Sequence, residues 1–196
     1  MRVMGIDCGS EYTGFGVVEQ RGIDHGESQS GAARVAELYC LAKGAIRLST
    51  SEPLEVRLHR IFQELSRLIA EHRPEVVAIE DVFHAANAKS ALRLGHVRGV
   101  AMLAAAEAGL PVVTYAPLAV KSAVVGYGRA EKAQVQMMVA RLLKLDALPQ
   151  PPDAADALAI AICHAHTAAT LSRQAAPPAT LAGATVALLG SRKRKS

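Results

Sequence analysis

"MGIDCGSEYTGFGVVE", residues 4–19, places one carboxylate, Asp7, between two apolar runs. Residues 2–6 and Thr13–Glu19 have the composition of strands, and the glycine-containing turn between them predicts a hairpin. Two glycines inside the second run indicate close approach by another backbone or by a ligand. An aspartate at this point could begin a turn, bind a metal at a phosphate site, or form half of a nuclease site.

The rest of the chain predicts a third strand, and then helices that alternate with two more strands. The expected elements are a strand within 38–49, a helix within 50–74 capped by Ser51, a strand ending at Glu80, a helix capped by Asn87 and stopped by Gly109, a strand within 110–117, and helices within 117–126, 129–145 and 152–171. Strands joined by short turns pair antiparallel, whereas strands separated by helices cross over and pair parallel. The sequence therefore predicts an α/β fold with a mixed five-stranded sheet flanked by helices.

Composition indicates a globular chain of 196 residues with an aliphatic core, since 51% of the residues are hydrophobic and only 4% are aromatic. We expect one domain over residues 1–172 and a flexible basic tail over 173–196. No apolar stretch reaches the roughly 18 residues of a membrane span, and no secretory signal is recognisable. The three cysteines lie far apart, which favours a reducing cytoplasmic location over a disulfide framework or a zinc site.

Positive charge is concentrated in two parts of the chain. The tail carries five Lys or Arg residues and no acid, which exceeds the net charge of +4, so the body is close to neutral. Within residues 84–145, however, eight Lys or Arg residues face only two acids. Such a sector attracts polyanions, although a solvated surface balanced by acids elsewhere is an equally simple interpretation.

Four carboxylates stand out by position. Asp7 and Glu80 end two strands that we expect to be parallel neighbours, and the carboxyl ends of such strands are where open α/β sheets bind ligands. Asp153 and Asp156 share one face at the start of the last helix. Taken singly, these acids could be turn, strand-end and helix-capping residues.

The surroundings of these acids favour a metal site. Glu80 follows a buried run, and Asp156 lies in a helix that is apolar on all sides, where an unpaired charge is costly. Converging carboxylates also repel each other unless a cation lies between them. Mg²⁺ or Mn²⁺ prefers oxygen ligands, and two such ions can activate water and stabilise the leaving oxygen in phosphodiester cleavage.

Four ordered blocks carry a specific resemblance. "GIDCGSEYTGFGVVE", "VAIEDVFHAANAKSALRLGHVRGVAM", "VKSAVVGYGRAEKAQVQMMV" and "PDAADALAIAICHAH" resemble the RuvC family of bacterial Holliday-junction resolvases over roughly residues 1–166. The resemblance implies a ribonuclease-H-like fold, a homodimer, Mg²⁺ or Mn²⁺ as cofactor, and cleavage of two strands of a four-way DNA junction. It also implies a role in recombination and repair beside the RuvA–RuvB branch-migration complex.

Carried over by position, the resemblance also implies roles for individual residues. The family's catalytic and metal-binding acids fall on Asp7, Glu80, Asp153 and Asp156. Its aromatic junction contact falls on Phe83, and its DNA-binding lysines fall on Lys121 and Lys132. A buried core position is the alternative for Phe83.

The long helix around residues 88–107 has two further predicted roles. Lys89, Arg93 and His96 lie on roughly one face of it, which is either part of the DNA path or a solvated surface. Its two glycines permit close helix packing, and the family's dimer contact implies pairing with the symmetry mate. The sequence departs from the family at Cys8, where a proline is usual, and over residues 22–37, where the connection is longer.

The sequence leaves two rival functions open. The first hairpin also looks like the phosphate-binding hairpin of actin-like ATPases, but the chain is too short for the second subdomain that those proteins need. We therefore expect no ATP binding. The other rival is a junction-binding module without cleavage. The presence of all four acids argues against it.

Overall fold

The computed structural model describes residues 1–22, 36–81 and 88–175, with side chains described up to residue 170. The elements within these ranges are β1 (Arg2–Asp7), β2 (Tyr12–Gly22), β3 (Ala36–Arg47), α1 (Leu54–His72), β4 (Val76–Glu80), α2 (Ala88–Glu107), β5 (Val112–Tyr115), α3 (Pro117–Val125), α4 (Lys132–Leu142) and α5 (Pro152–Ala175). Their order along the chain is the predicted one.

The strands form one mixed sheet in the order β3-β2-β1-β4-β5. Strands β1, β2 and β3 pair antiparallel, with Asp7 opposite Gly14 at the end of β1. Strand β4 lies parallel to β1, with Ile79 opposite Ile6, and β5 lies parallel to β4. The predicted combination of an antiparallel meander and two parallel crossovers is confirmed, and it brings the carboxyl ends of β1 and β4 side by side.

Helices cover both faces of the sheet, because alternate residues of each buried strand point to opposite sides. Met4 and Val17 pack with α1 and α2 in one hydrophobic cluster. Val3 and Val18 pack with α3, α4 and α5 in the other. Helix α5 lies between the sheet and the two shorter helices, which explains why its sequence is apolar almost all round.

Three helix ends differ from the sequence predictions. Ser51 does not cap α1, since its hydroxyl pairs with that of Ser49 at 2.7 Å and Pro53 is the residue before the helix. Helix α4 begins later than expected, because the Glu131 side chain caps it in a reciprocal pair with Gln134. Helix α5 continues to Ala175, past its predicted end.

Several predictions concern residues outside the described ranges. They are the Asn87 cap, most of the long connection between β2 and β3, and nearly all of the basic tail. These stay predictions. Within the described ranges, none of the helices is both long enough and apolar enough to cross a membrane.

Candidate active site

The carboxyl ends of β1 and β4 open into a cavity of about 240 Å³. Asp7 is the last residue of β1 and Glu80 is the last residue of β4, so parallel pairing delivers both side chains to the same edge. Both line the cavity, as does Asp156 from the first turns of α5. The predicted convergence of carboxylates from two strands and the last helix is therefore present in the fold.

Glycines in the first two strands let α5 approach this edge. A Cβ atom at Gly14, opposite Asp7, would lie 2.1 Å from the carbonyl oxygen of Asp153. A Cβ atom at Gly5 would lie 2.0 Å from the carbonyl oxygen of Ala157. The bare strand backbone thus accepts the helix backbone directly. At Gly14 this is the close approach that the glycines of the second run predict, whereas the contact at Gly5 was not predicted.

Asp153 occupies a different position from the other three acids. It is in the first turn of α5 and its main chain rests against Gly14, but it does not line the cavity. Its charge nevertheless acts on Asp7. The structure therefore brings three acids to the cavity and holds the fourth within electrostatic range of it.

The surroundings of the Asp7 and Glu80 carboxyl groups disfavour their ionised forms. Burial, together with the charges of Asp156, Glu80 and Asp153, raises the pKa of Asp7 to about 7, and Lys132 offsets only part of this. Burial and Asp156 also raise the pKa of Glu80, against the effects of Lys121 and Lys132. Three carboxylates and two lysines line the cavity, and the effects of the lysines do not offset the burial and mutual repulsion of the acids.

The two lysines to which the resemblance assigns DNA binding, Lys121 and Lys132, line the same cavity as the acids. The Lys132 ammonium lies 2.6 Å from the Asp156 carboxylate. Partial burial lowers the pKa of Lys132, but the hydrogen bond and charge of Asp156 outweigh this and raise it overall. Lys121 donates to the carbonyl oxygen of Ala130 at 2.9 Å, which ties α3 to the start of α4.

The donor set fits a hard divalent cation, although a closed coordination shell is not formed. Among the described residues, no three His, Cys, Asp or Glu side chains gather closely enough to hold an ion. The acids around the cavity nevertheless offer only carboxylate oxygens, which Mg²⁺ and Mn²⁺ prefer. Burial and neighbouring carboxylates raise the pKa values of Asp7 and Glu80, and a cation bound between them would favour their ionised forms.

The remaining predicted DNA-contact residues lie away from this cavity or outside the described ranges. Phe83 belongs to residues 82–87, which are not described. Lys89, Arg93 and His96 are exposed on α2. None of these three lines the cavity.

Two histidines of α5 are engaged elsewhere. His164 pairs through Nδ1 with the Tyr115 hydroxyl at 2.8 Å, and His166 Nδ1 lies 3.0 Å from the Ala123 carbonyl oxygen. Both side chains are therefore packed against α3 or β5, and neither lines the cavity. Burial and the neighbouring Asp7 charge raise the pKa of the Cys8 thiol to about 12, which disfavours its thiolate form.

One part of the site was missed by sequence reasoning. The cavity has an apolar wall made by Pro117, Val120, Val135 and Ala159. These residues carry no chemical signature, and only the packing of α3, α4 and α5 against each other assembles them. Helical periodicity is the sequence signal that these residues carry, and it marks a core face but not a cavity wall.

The fold and the site together define a class. A mixed sheet in this order, with helices on both faces and carboxylates at the ends of β1 and β4 and at the start of α5, is that of the ribonuclease-H-like nucleases. The family model described as "Crossover junction endodeoxyribonuclease RuvC" matches residues 3–164. The chain belongs to the RuvC family of crossover junction endodeoxyribonucleases.

Individual relatives agree with this assignment. The chain is 67% identical to a crossover junction endodeoxyribonuclease RuvC of Koribacter versatilis, covering 88% of this chain and 97% of the relative. It is 55% identical to that of Acidobacterium capsulatum, covering 89% and 98%. The structure of Thermus thermophilus RuvC in complex with a Holliday junction substrate matches with a TM-score of 0.74 and 34% identity, covering 87% of this chain and 96% of that one.

Family membership decides between the rival functions. The chain is an endodeoxyribonuclease that resolves Holliday junctions, and nucleases of this family depend on a divalent metal. Neither the ATPase interpretation nor the module without cleavage receives support from these relatives.

Proposed function

We propose that Asp7, Glu80, Asp153 and Asp156 are the catalytic, metal-binding acids of this resolvase, and that the ions are Mg²⁺ or Mn²⁺, two per site. The observation that carries the proposal is the meeting of Asp7, Glu80 and Asp156 at one cavity with the ionisation of Asp7 opposed. When bound, the ions supply an activated water and stabilise the departing 3′ oxygen.

The four acids divide this work by position. Asp7 and Glu80 are fixed by the ladders of β1 and β4, so they form the rigid centre of the ligand set. Asp156 faces them from α5 across the cavity. Asp153 completes the set from the first turn of that helix, where its position depends on contact with Gly14.

Lys132 is proposed to contact the DNA phosphate at the cavity. Its ammonium is paired with Asp156 at 2.6 Å, and a cation on that carboxylate would free the ammonium for a phosphate. Lys121 lines the same cavity while it holds the start of α4. Positive charge beside the reacting phosphate stabilises the charge that develops in the transition state.

We propose that α2 contacts the four-way junction, the kind of substrate that the Thermus thermophilus complex contains. Exposed Lys89 and Arg93 on α2 support this, because surface cations bind the phosphate backbone without reading sequence. Phe83 is proposed to contact the junction centre by stacking, on the strength of the family resemblance alone.

A homodimer through α2 is proposed as the working form. Gly95 and Gly99 have open space where a Cβ atom would stand. Leu92 and Leu103 lie on the same side of the helix and are 64% and 55% exposed. An apolar, glycine-lined face of this kind suits close packing against a symmetry mate, and a two-fold dimer matches a junction with near two-fold symmetry.

The setting is proposed to be the cytoplasm, beside the RuvA–RuvB branch-migration complex. The widely separated, free cysteines agree with a reducing compartment. The partnership follows from family membership, and a pull-down with purified RuvA–RuvB on junction DNA tests it.

Cleavage assays with two DNA substrates test the proposed function. A synthetic four-way junction and a linear duplex of the same sequence are each incubated with Mg²⁺, with Mn²⁺ and with a chelator. We expect paired nicks in the junction alone, only with metal. Binding without cutting would support a junction-binding module, and equal cutting of the duplex would remove junction selectivity from the proposal.

A further inference from the structure

The turn between β1 and β2, residues 8–11, is held by buried polar groups. Among the described residues, only Thr13 and Arg57 are both polar and buried, with 0% and 8% exposure. Thr13 donates its hydroxyl to the Gly9 carbonyl oxygen at 3.2 Å. The Arg57 guanidinium donates to the Ser10 carbonyl oxygen. Both buried polar side chains therefore act on the turn that directly follows Asp7.

The Arg57 guanidinium is buried without a carboxylate partner among the described residues. Arg57 lies in the first turn of α1, and the described residues offer its guanidinium no carboxylate within 4 Å. Its Nε atom is buried and has no hydrogen-bond partner among the described residues. Burying a charge without a counter-charge costs free energy. The hydrogen bond to the Ser10 carbonyl oxygen offsets part of that cost.

The space beside Arg57 does not favour an anion site. The cavity beside it, which Ser10 and Arg93 also line, has a volume of about 10 Å³. Such a space holds at most one water molecule and not a phosphate. The role of Arg57 is therefore toward the protein backbone.

The other end of the turn is fixed as well. The Leu48 amide donates to the Glu11 carbonyl oxygen at 2.9 Å, which joins the turn to the end of β3. A Cβ atom at Gly9 would lie 2.1 Å from the Tyr12 carbonyl oxygen, so the turn is tightly folded. Three consecutive carbonyl groups, at positions 9, 10 and 11, are thus bound by groups from β2, α1 and the chain after β3.

We propose that Arg57 is a positioning residue for the nuclease reaction: together with Thr13 it clamps residues 8–11 and so fixes the Asp7 carboxylate toward the other acids. This rests on the proposed function for the role of Asp7. The charges that act on Asp7 come from Asp156, Glu80, Asp153 and Lys132, so Arg57 acts through the backbone and not through its field.

The test removes the clamp and measures the turn and the reaction separately. Arg57→Met keeps the aliphatic stem, Arg57→Lys keeps a donor, and Thr13→Val keeps the shape without the hydroxyl. Arg67→Met is the matched control, since Arg67 lies on the same helix and pairs only at the surface with Glu64 and Glu71.

Native cysteines report the state of the turn. Cys8 lies in the turn, and Cys163 lies in the core of α5 at 2% exposure. Alkylation of each thiol is followed by mass spectrometry, so that local opening at Cys8 is distinguished from global unfolding at Cys163. Junction affinity and the single-turnover cutting rate are measured on the same preparations.

We expect Arg57→Met to label at Cys8 at least tenfold faster, with Cys163 unchanged. We also expect its cutting rate to fall by about 10- to 100-fold at unchanged junction affinity, as a small misplacement of a reacting group does. Thr13→Val should move both readouts in the same direction by less, Arg57→Lys should restore part of the rate, and Arg67→Met should match the wild type.

Three results would overturn the proposal. They are unchanged Cys8 labelling, equal acceleration at Cys8 and Cys163, and faster Cys8 labelling with an unchanged cutting rate. Failure of the proposed role of Asp7 is recognised separately, because the Asp7→Asn variant would then still cut the junction. Cys8 labelling in the Arg57 variants would still report whether Arg57 holds the turn.

Discussion

At the residue scale, the fold places Asp7 where its ionisation is opposed by burial and by three other acids. The chain pays for this arrangement in stability, because a carboxylate with a raised pKa destabilises the folded state once it is ionised. Active sites commonly keep such groups, since the same charge that costs stability binds the reacting partner.

Asp7→Asn should therefore stabilise the metal-free protein. At pH 8 the substitution removes an opposed charge, and we expect a gain in the free energy of unfolding on the order of 2 kcal/mol. Thermal unfolding in a chelator measures it. Asp146→Asn is the control, since Asp146 is exposed and does not line the cavity. An unchanged or lower melting temperature for Asp7→Asn would contradict the account.

The same shift predicts a pH dependence. The folded pKa of Asp7, about 7, lies above its ordinary value of 3.8, so the folded state holds the proton more tightly than the unfolded state. The Asp7 contribution to stability is thus favourable at low pH, is lost between about pH 4 and pH 7, and is constant above that. The difference in melting temperature between Asp7→Asn and the wild type should widen over that pH range and should be constant at higher pH. A difference independent of pH would contradict it.

At the element scale, the strand ends and the last helix assemble the site, and much of this was predictable from sequence. Apolar runs ending in Asp7 and Glu80 predicted the two strands, and chain order predicted their parallel pairing. The glycines of β2 signalled a close approach but not its partner, because only the tertiary packing shows that α5 lies there.

The misses at this scale have local causes. Ser51 had the right composition for a cap, but the turn at Ser49–Glu52 uses its hydroxyl instead. Arg57 appeared as an ordinary charged residue on an amphipathic helix. Its burial depends on the contact with Ser10, 47 residues earlier in the chain, which no local pattern encodes.

Gly14→Ala should show how tightly α5 is set against β2. The added methyl group meets the Asp153 carbonyl oxygen at 2.1 Å, so the start of α5 has to move. We expect a loss of roughly 1–3 kcal/mol of stability, as overpacking typically costs, and a loss of cutting. Chemical denaturation and the junction assay measure these effects.

Gly22→Ala is the matched control for that substitution. Gly22 lies in the same strand, and nothing stands within 4 Å of the position that its Cβ atom would take. It should fold and cut like the wild type. Equal losses of stability and cutting in the two variants would show that replacing any glycine of β2 is harmful, and that the contact with α5 is not the cause.

At the scale of the whole molecule, the cations proposed to contact DNA from α2 do not line the cavity that holds the acids. Three acids face one cavity, whereas Lys89 and Arg93 lie exposed on α2. Cations that contact phosphates contribute to affinity through released counterions, whereas the acids contribute to the reaction. Binding and cutting should therefore respond to different substitutions.

Neutralising the α2 cations tests the first half of that separation. Lys89→Gln and Arg93→Gln should each weaken junction binding and reduce the slope of log affinity against log salt by about 1. Arg67→Gln, on the surface of α1, serves as the control and should leave the slope unchanged. Unaltered slopes in all three variants would place the DNA path elsewhere.

The proposed dimer gives a prediction of its own. Leu103→Glu puts a charge on the glycine-lined face of α2 and should yield a monomer in sedimentation velocity, because an unpaired charge cannot be buried cheaply there. Met137→Glu, on α4 and 56% exposed, should sediment as the wild type does. A dimer that survives Leu103→Glu would move the interface away from this face.

The most direct test of the central claim compares junction binding and junction cutting in Asp7→Asn, with Asp146→Asn beside it. We expect Asp7→Asn to bind a four-way junction at least as tightly as the wild type, while cutting with Mg²⁺ or Mn²⁺ falls by roughly a thousandfold or more. Loss of binding together with cutting, or cutting that persists, would contradict the assignment of Asp7 to the metal site.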